Sequence, residues 1–310
     1  MDILMIGAGG IRGFLAAKLI PAGQRVFLLA RGAHLEAIRR DGLKLIEGGV
    51  ETVVQPAAIS DDLAALPPAD LAIFAVKGQD LEEVIAAYRP HAKPDTLVLP
   101  FQNGGDAPDL LAAAFGAGNT LTGIARIFSN ITAPGVVTQY GGGSSFTIGD
   151  VEGWQTEPRV RAVIEAFRAA GINAPDCADV TVDLWHKFLL FNAVSGTTAA
   201  ARCRFREIRA NPELMEFFRG LVAEVDAVAR AKGVALPENA VERTMAIAAK
   251  MPDEARASTA HDLDHGKPIE VDRICGAVAR MGRDLGVPVP NSTAVTAILS
   301  PWRKGTPRGR

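Results

Sequence analysis

The first half of the chain alternates short apolar runs with segments in which apolar residues recur at helical spacing. The apolar runs typical of buried parallel strands are Ile3–Ile6, Val26–Leu29, Leu71–Val76 and Thr96–Leu99. The segments of helical spacing between them are Ile11–Ile20, Ala33–Arg40 and Leu81–Tyr88. This repeated strand–helix–strand order predicts an α/β domain built on a doubly wound parallel sheet.

Three β-like segments follow in the same half: Thr120–Phe128, Gly135–Tyr140 and Phe146–Ile148. Gly141-Gly142-Gly143 separates the last two segments and predicts a hairpin turn. We expect these strands to extend one edge of the sheet in antiparallel fashion.

Beyond Gly171 the pattern is helical throughout. The segments of helical spacing are Asp183–Ala201, Pro212–Lys232, Pro237–Met251 and Val271–Leu285. We therefore predict an α/β domain over residues 1–172 and an all-α C-terminal domain over residues 173–310. The apolar character of the helical half favours a homodimer.

Composition excludes several classes of protein. The 310 residues carry a net charge of −2, which gives no reason to expect a nucleic-acid or membrane-surface partner. The three cysteines are far apart, which favours free thiols in a reducing compartment. With no signal peptide and no apolar run of membrane length, we expect a cytoplasmic protein. The basic end, Trp302–Arg310, has the composition of a disordered tail.

Residues 7–13, GAGGIRG, follow the first predicted strand and run into the first predicted helix. In Rossmann-type domains a glycine-rich turn at this place brings a dinucleotide's pyrophosphate close to the helix N-terminus. The residues of the turn that we expect to contact a cofactor are Gly7, Ala8, Gly9, Gly10, Ile11 and Arg12. The competing interpretation is a glycine turn that binds no ligand.

Arg12 occupies the position of the third glycine of that motif. We expect its side chain either to point outward, towards phosphate, or to loosen the packing of the helix on the sheet. Gly13 follows and can share the role of the missing glycine.

Arg31 follows the second predicted strand, where NAD sites usually carry an acid for the ribose 2′-hydroxyl; the first acid here is Glu36. An arginine suits a 2′-phosphate, so the sequence favours NADP, unless Arg31 is a solvated turn residue. Lys77 and Asn103 follow the third and fourth predicted strands and are expected at the same sheet edge.

Lys187 lies in a strongly apolar helix. A lysine in such surroundings is a candidate acid–base group, although a lysine that reaches solvent from the helix start has the same pattern. Glu270 precedes another predicted helix, where an acid also suits the helix dipole. His261 and His265 are four residues apart, but no third ligand is evident, and we expect no metal site.

Together these features resemble the ketopantoate reductase (2-dehydropantoate 2-reductase) family over nearly the full chain. The matching residues are the glycine turn, Arg31, Lys77, Gln102-Asn103-Gly104, Trp185 with Lys187, Ser258 before Asp262-Leu263, Gly266-x-Pro268-x-Glu270-x-Asp272, and the closing Gly286-Val287-Pro288-x-Pro290-Asn291.

The resemblance implies a Rossmann domain, a helical domain and NADPH-dependent reduction of a 2-keto acid to a 2-hydroxy acid, as in pantothenate biosynthesis. It implies that Lys187 holds the ketone oxygen as general acid, and that Glu270 binds substrate and cofactor and helps to set the charge of the lysine. It also implies that Ser258 binds the substrate carboxylate and that Asn103 orders the nicotinamide and Lys187. Lys77 is expected near cofactor and substrate.

The chain departs from the family's pattern beside the lysine. Where relatives commonly carry asparagines four and eight residues later, this chain has Phe191 and Ser195, and Asn192 lies one residue out of step. A third familiar asparagine is Ala255 here. Lost hydrogen bonds change substrate preference, so we expect a less hydroxylated 2-keto acid, with Asn192 and Ser195 as candidate contacts and ketopantoate retained as a candidate substrate.

Two other functions remain open on the sequence. One is a non-catalytic nucleotide-binding protein with a regulatory or interaction role, which Arg12 and the missing asparagines favour. The other is a dehydrogenase of similar architecture that acts on a 3-hydroxy acid or an opine.

Overall fold

The computed structural model describes residues 1–7 and 9–306, which fall into two compact units. The first unit comprises Met1–Gln102 and Ala107–Thr181, and the second comprises Asn103–Asp106 and the chain from Val182 onward. The division therefore follows Thr181, later than the boundary expected after residue 172. In addition, a four-residue segment from the first half of the chain belongs to the second unit.

The secondary structure of the first unit mixes strands and helices. Its strands are β1 (Asp2–Ile6), β2 (Arg25–Leu29), β3 (Leu43–Glu47), β4 (Val50–Val54), β5 (Ala58–Ser60), β6 (Leu71–Phe74), β7 (Leu97–Pro100), β8 (Leu121–Ala133) and β9 (Val136–Asp150). Its helices are α1 (Gly10–Leu19), α2 (Gly32–Asp41), α3 (Leu81–Tyr88), α4 (Ala107–Phe115) and α5 (Pro158–Ala169). Single 3-10 turns cover Leu63–Ala65, Gly78–Asp80, Arg89–His91 and Ala117–Asn119.

A five-stranded parallel sheet runs in the order β5-β2-β1-β6-β7. Alternate residues of β1 enter different apolar clusters. Ile3 and Met5 pack with Phe14 of α1. Leu4 and Ile6 pack in a second cluster with residues of α3 and α4. Both faces of the sheet are thus covered, which explains the continuous apolar runs and confirms the predicted α/β fold.

The remaining strands form a separate sheet in the order β4-β3-β9-β8. The predicted antiparallel extension of the first sheet is therefore wrong, although β8 and β9 do pair antiparallel. The predicted hairpin turn at Gly141-Gly142-Gly143 is also wrong, because these residues continue β9. The turn lies instead at residues 134–135, where Gly135 has a φ of +77° that favours glycine.

The second unit is helical. Its helices are α6 (Val180–Ala200, which begins just before the division), α7 (Phe205–Ala210), α8 (Pro212–Ala231), α9 (Ala240–Ala248), α10 (Ser258–Asp264), α11 (Cys275–Leu285) and α12 (Pro290–Leu299). Single 3-10 turns cover Val271–Arg273 and Ser300–Trp302. Within its described residues this unit has no strand, which confirms the predicted all-α domain. One apolar cluster joins α6, α8 and α11 through Phe188, Leu221 and Val278.

Two expectations for this unit need correction. The helix expected over residues 271–285 is interrupted at Ile274, whose φ of −108° and ψ of −98° are not helical. The tail expected to be disordered packs as far as residue 306, since the N–H of Thr306 donates to the carbonyl oxygen of Gly266 at 3.1 Å. Residues 307–310 lie outside the described residues. Throughout the described part of the chain, no helix combines the length and apolarity needed to cross a bilayer.

Candidate active site

The turn between β1 and α1 has space only for glycine at two positions. Gly7 has a φ of +128°, and a Cβ there would lie 2.6 Å from the carbonyl oxygen of Ala75. A Cβ at Gly10 would lie 2.3 Å from the backbone of β8. No side chain caps α1 at Gly9, which leaves its first N–H groups, including that of Ile11, for an anion. Ala8, which we also expect to contact a cofactor, lies outside the described residues.

Arg12 is buried, with 1% of its surface exposed, and its Nη1 donates to the carbonyl oxygen of Leu29 at the end of β2. The expectation of an outward side chain is therefore wrong. Burial lowers the pKa of Arg12 to about 10, and its Nε has no hydrogen-bond partner among the described residues. A Cβ at Gly13 would lie 2.4 Å from Cγ2 of Val137, so this glycine keeps α1 close to β9. Contact between Arg12 and a cofactor stays a prediction.

His34 lies in the electrostatic field of Arg12. The pKa of His34 is lowered to about 4, mainly by burial of the ring and to a smaller extent by the positive charge of Arg12. The N–H of Gly135 donates to Nδ1 of His34 at 2.9 Å, so Nε2 carries the hydrogen of the neutral ring. This Nε2 is buried without a partner in the described structure.

Arg31 follows β2 and caps α2 with extended backbone angles, and its side chain is exposed. No ion pair of Arg31 is present within residues 1–7 and 9–306. Glu36, the first acidic residue after Arg31, pairs with Arg39 at 3.1 Å. The Arg31 guanidinium can therefore bind a phosphate without giving up a carboxylate partner.

Lys77 is exposed at the start of the 3-10 turn Gly78–Asp80, after β6. Gly7, Arg31 and Lys77 thus follow the carboxyl ends of β1, β2 and β6, which are neighbours in the sheet. Doubly wound sheets bind ligands at this edge. Here it carries a glycine cradle and two cations, an arrangement that fits the phosphates of a dinucleotide.

In the second unit, Lys187 lies half-buried on α6, and its Nζ donates to Oδ1 of Asn103 at 3.2 Å. The ring centre of Phe191, one helical turn later, lies 5.8 Å from the same Nζ. Together with Gly104, Leu184 and Phe188, these two side chains line a small hollow. Asn103 is thus one acceptor of the ammonium group, which lies at the edge of a mainly apolar hollow.

The other predicted residues of the reaction site also lie in the second unit. Glu270 is half-buried and precedes the 3-10 turn Val271–Arg273, whose last N–H donates to the Glu270 carbonyl oxygen at 3.0 Å. Ser258 is exposed at the first residue of α10. Their contacts with a substrate stay predictions.

Asn192 and Ser195 lie inside the helical core, with 0% and 1% of their surfaces exposed. The side-chain amide of Asn192 and the hydroxyl of Ser195 have no hydrogen-bond partners among the described residues. Both are therefore polar groups available for a ligand or water that reaches the core. Their role as substrate contacts stays a prediction.

The sequence did not predict a cluster of charged side chains in the second unit, close in the chain to Asn103. Oδ2 of Asp106 accepts from Nη1 of Arg273 at 3.2 Å and from Nη2 of Arg280 at 3.0 Å. The apolar residues at 271 and 274 indicate a buried segment, but nothing in the sequence identifies the partner of Arg273.

The chain matches two family models over most of its length. The model described as ketopantoate reductase PanE/ApbA matches residues 3–153, and the model of its C-terminal part matches residues 179–302. A 2-dehydropantoate 2-reductase from Mesorhizobium japonicum is 31% identical, over 96% of this chain and 97% of that relative.

Two solved structures show the same architecture. The PanE/ApbA family ketopantoate reductase from Ralstonia eutropha is 29% identical and has a TM-score of 0.87, with 98% of each chain covered. D-mandelate dehydrogenase in a ternary complex with NADH and anilino(oxo)acetate has a TM-score of 0.86 over 98% of each chain. That enzyme is only 21% identical, so its likeness concerns the fold alone.

Proposed function

Because the chain belongs to the ketopantoate reductase family of oxidoreductases, we propose that it reduces a 2-keto acid to the 2-hydroxy acid with NADPH. The observation that carries the proposal is the ammonium of Lys187, held by Asn103 in an apolar hollow. Lys187 also matches the position that the family uses for its general acid. The relative from Mesorhizobium japonicum, named for reduction of 2-dehydropantoate, supports the substrate class.

The cofactor is proposed to bind at the sheet edge of the first unit. The cradle at Gly7, the uncapped start of α1 and the guanidinium of Arg31 would hold its phosphates. An exposed arginine without a carboxylate partner favours a 2′-phosphate, and hence NADPH over NADH. When bound, the nicotinamide supplies the hydride. Lys77 would lie near the reacting end.

The reaction needs a proton donor, because addition of a hydride to a ketone leaves negative charge on its oxygen. Nζ of Lys187 would hydrogen-bond to that oxygen and transfer a proton to it, which gives the alcohol. Asn103 helps to orient the ammonium group by accepting one of its hydrogens. Glu270 would bind the substrate and support the charge of the lysine, and Ser258 would bind the substrate carboxylate.

The hollow beside Lys187 favours a side chain with fewer hydroxyls than that of ketopantoate. Phe191 presents a ring where the family commonly carries an asparagine, and Leu184 and Phe188 add further apolar surface. A ring edge does not replace an amide as a hydrogen-bond partner, and leaving a buried hydroxyl unpaired costs about 1–3 kcal/mol. The proposed preference is therefore for apolar 2-keto acids.

The test is a steady-state screen of NADPH oxidation against 2-keto acids graded by side-chain hydroxyl content, with ketopantoate included. We expect turnover of the apolar members, and we expect Lys187→Ala to lower kcat by roughly 10²–10⁴-fold while NADPH binding changes less than about threefold. Lys250→Ala, at an exposed lysine after α9, is the matched control and should leave kcat unchanged.

Three results would contradict the proposal. NADPH binding without turnover of any 2-keto acid would favour the non-catalytic alternative. A product with the new hydroxyl or amine at another carbon would favour a different dehydrogenase. A Lys187→Ala variant that keeps more than about a tenth of kcat would remove the general acid from the mechanism.

A further inference from the structure

One carboxylate anchors the segment Asn103–Asp106, which follows β7 in the chain but belongs to the second unit. Oδ2 of Asp106 accepts hydrogen bonds from Arg273 at 3.2 Å and from Arg280 at 3.0 Å. The two arginines lie 167 and 174 residues further along the chain. The segment is therefore held by long-range ion pairs on its last residue.

The two ion pairs differ in burial. The side chains of Asp106 and Arg273 are 14% and 10% exposed, whereas that of Arg280 is 43% exposed. Breaking a largely buried ion pair is strongly destabilising, and an exposed pair contributes little. Asp106 is therefore held mainly by Arg273.

The backbone of the same segment fits closely against both of its neighbours. Gly104 has a φ of +117°, and a Cβ there would lie 2.6 Å from the carbonyl oxygen of Arg273. A Cβ at Gly105 would lie 3.1 Å from Cδ1 of Phe188 on α6. The segment thus lies between the 3-10 turn that contains Arg273 and the helix that carries the proposed general acid.

We propose that Asp106 is a positioning residue that acts on Lys187 through Asn103. Its ion pair with Arg273 fixes the segment so that Oδ1 of Asn103, three residues earlier, accepts from Nζ of Lys187 at 3.2 Å. Without this anchor Asn103 moves, and the ammonium loses an acceptor that helps to set its direction. The kinetic consequence rests on the proposed function, whereas the state of the amine is measurable without substrate.

A double-mutant cycle on the full chain tests the route through Asn103. The variants are Asp106→Asn, Asn103→Ala and the double variant, each measured at saturating NADPH with a 2-keto acid that the wild type reduces. We expect kcat to fall about tenfold in each single variant, with a smaller change in KM, and no further fall in the double variant. Effects that multiply would overturn the proposal, because Asp106 would then act independently of Asn103.

Asp264→Asn is the matched control. Asp264 also pairs with two arginines of the second unit, Arg202 at 3.4 Å and Arg256 at 2.6 Å. We expect this control to keep kcat within about twofold of wild type. Equal losses of kcat in the Asp106 and Asp264 variants would reduce Asp106 to a stabilising role. Arg280→Gln keeps the buried pair of Asp106 with Arg273 and removes the exposed pair, together with the hydrogen bond from Nη1 of Arg280 to the carbonyl oxygen of Asp272 at 2.7 Å. It should lower kcat less than Asp106→Asn, and it is a milder test if the latter folds poorly.

A second readout separates this proposal from the proposed function. The rate at which a water-soluble acylating reagent modifies Lys187 reports its amine without cofactor or substrate. We expect Asp106→Asn and Asn103→Ala to raise this rate equally, and the double variant to add nothing, because in all three the charged form of the amine loses the same stabilising acceptor, Oδ1 of Asn103. If the wild type reduces no 2-keto acid but this pattern holds, only the proposed function fails. An unchanged rate in Asp106→Asn overturns the positioning role.

Discussion

Replacing Arg31 by alanine tests cofactor choice at the residue proposed to distinguish NADPH from NADH. Arg31 is exposed, follows β2 directly and has no ion pair within the described part of the chain. Its removal therefore breaks no ion pair among the described residues. The whole effect of the substitution should appear in binding of the 2′-phosphate.

The magnitude follows from the kind of contact. A hydrogen bond to a charged group contributes about 1.5–3 kcal/mol, and each 1.4 kcal/mol is tenfold in affinity. We therefore expect the Kd for NADPH to rise about 10–150-fold and the Kd for NADH to change less than about threefold. The site is exposed, so the loss should shrink as salt is raised above physiological ionic strength.

The assay is a titration that follows nicotinamide fluorescence, with NADPH and NADH in parallel. Arg39→Ala is the matched control, since it removes the same charge from the same helix while Arg39 already pairs with Glu36. An equal loss of NADPH and NADH affinity, or an equal effect of Arg39→Ala, would refute the assignment of Arg31 to the 2′-phosphate.

Two further predictions concern His34 and Phe191. The pKa of His34 is about 4 in the folded protein and 6.5 in an unfolded chain. Between pH 6.5 and pH 4 the unfolded chain therefore binds one proton more than the folded protein, and the folded protein loses stability as the pH falls through this range. His34→Asn keeps an acceptor for the N–H of Gly135 and should reduce the difference between the free energies of unfolding measured in urea at pH 7 and pH 5. An unchanged difference would contradict the lowered pKa of His34. Phe191→Asn should raise kcat/KM for ketopantoate relative to an apolar 2-keto acid by about tenfold, and an unchanged ratio in competition assays would remove Phe191 as a specificity residue.

The parallel strands were predictable because both faces of their sheet are buried, which leaves long apolar runs in the sequence. The turn between β8 and β9 was misplaced because three consecutive glycines outweighed the Pro-Gly pair at residues 134–135. Strand β4 was missed because four of its five residues are exposed, so it shows no alternation of apolar and polar positions.

Some residues of the candidate site were predictable from the sequence and others were not. Lys187 and Asn103 were predictable, since one lies in an apolar helix and the other directly follows a strand. The burial of Arg12 was not, because a charged side chain at a glycine position is ordinarily expected in solvent. The pairing of Asp106 with Arg273 joins residues 167 positions apart, and a single sequence carries no signal for such a contact.

The membership of Asn103–Asp106 in the helical unit has a consequence for recombination between relatives. A chimera joined after residue 181 would take Asp106 from one parent and Arg273 from the other. Such hybrids should work when both parents supply a compatible pair, or when the four-residue segment is exchanged together with the helical half. The block that must be inherited intact is therefore discontinuous in the gene, and crossovers chosen by linear domain boundaries would divide it.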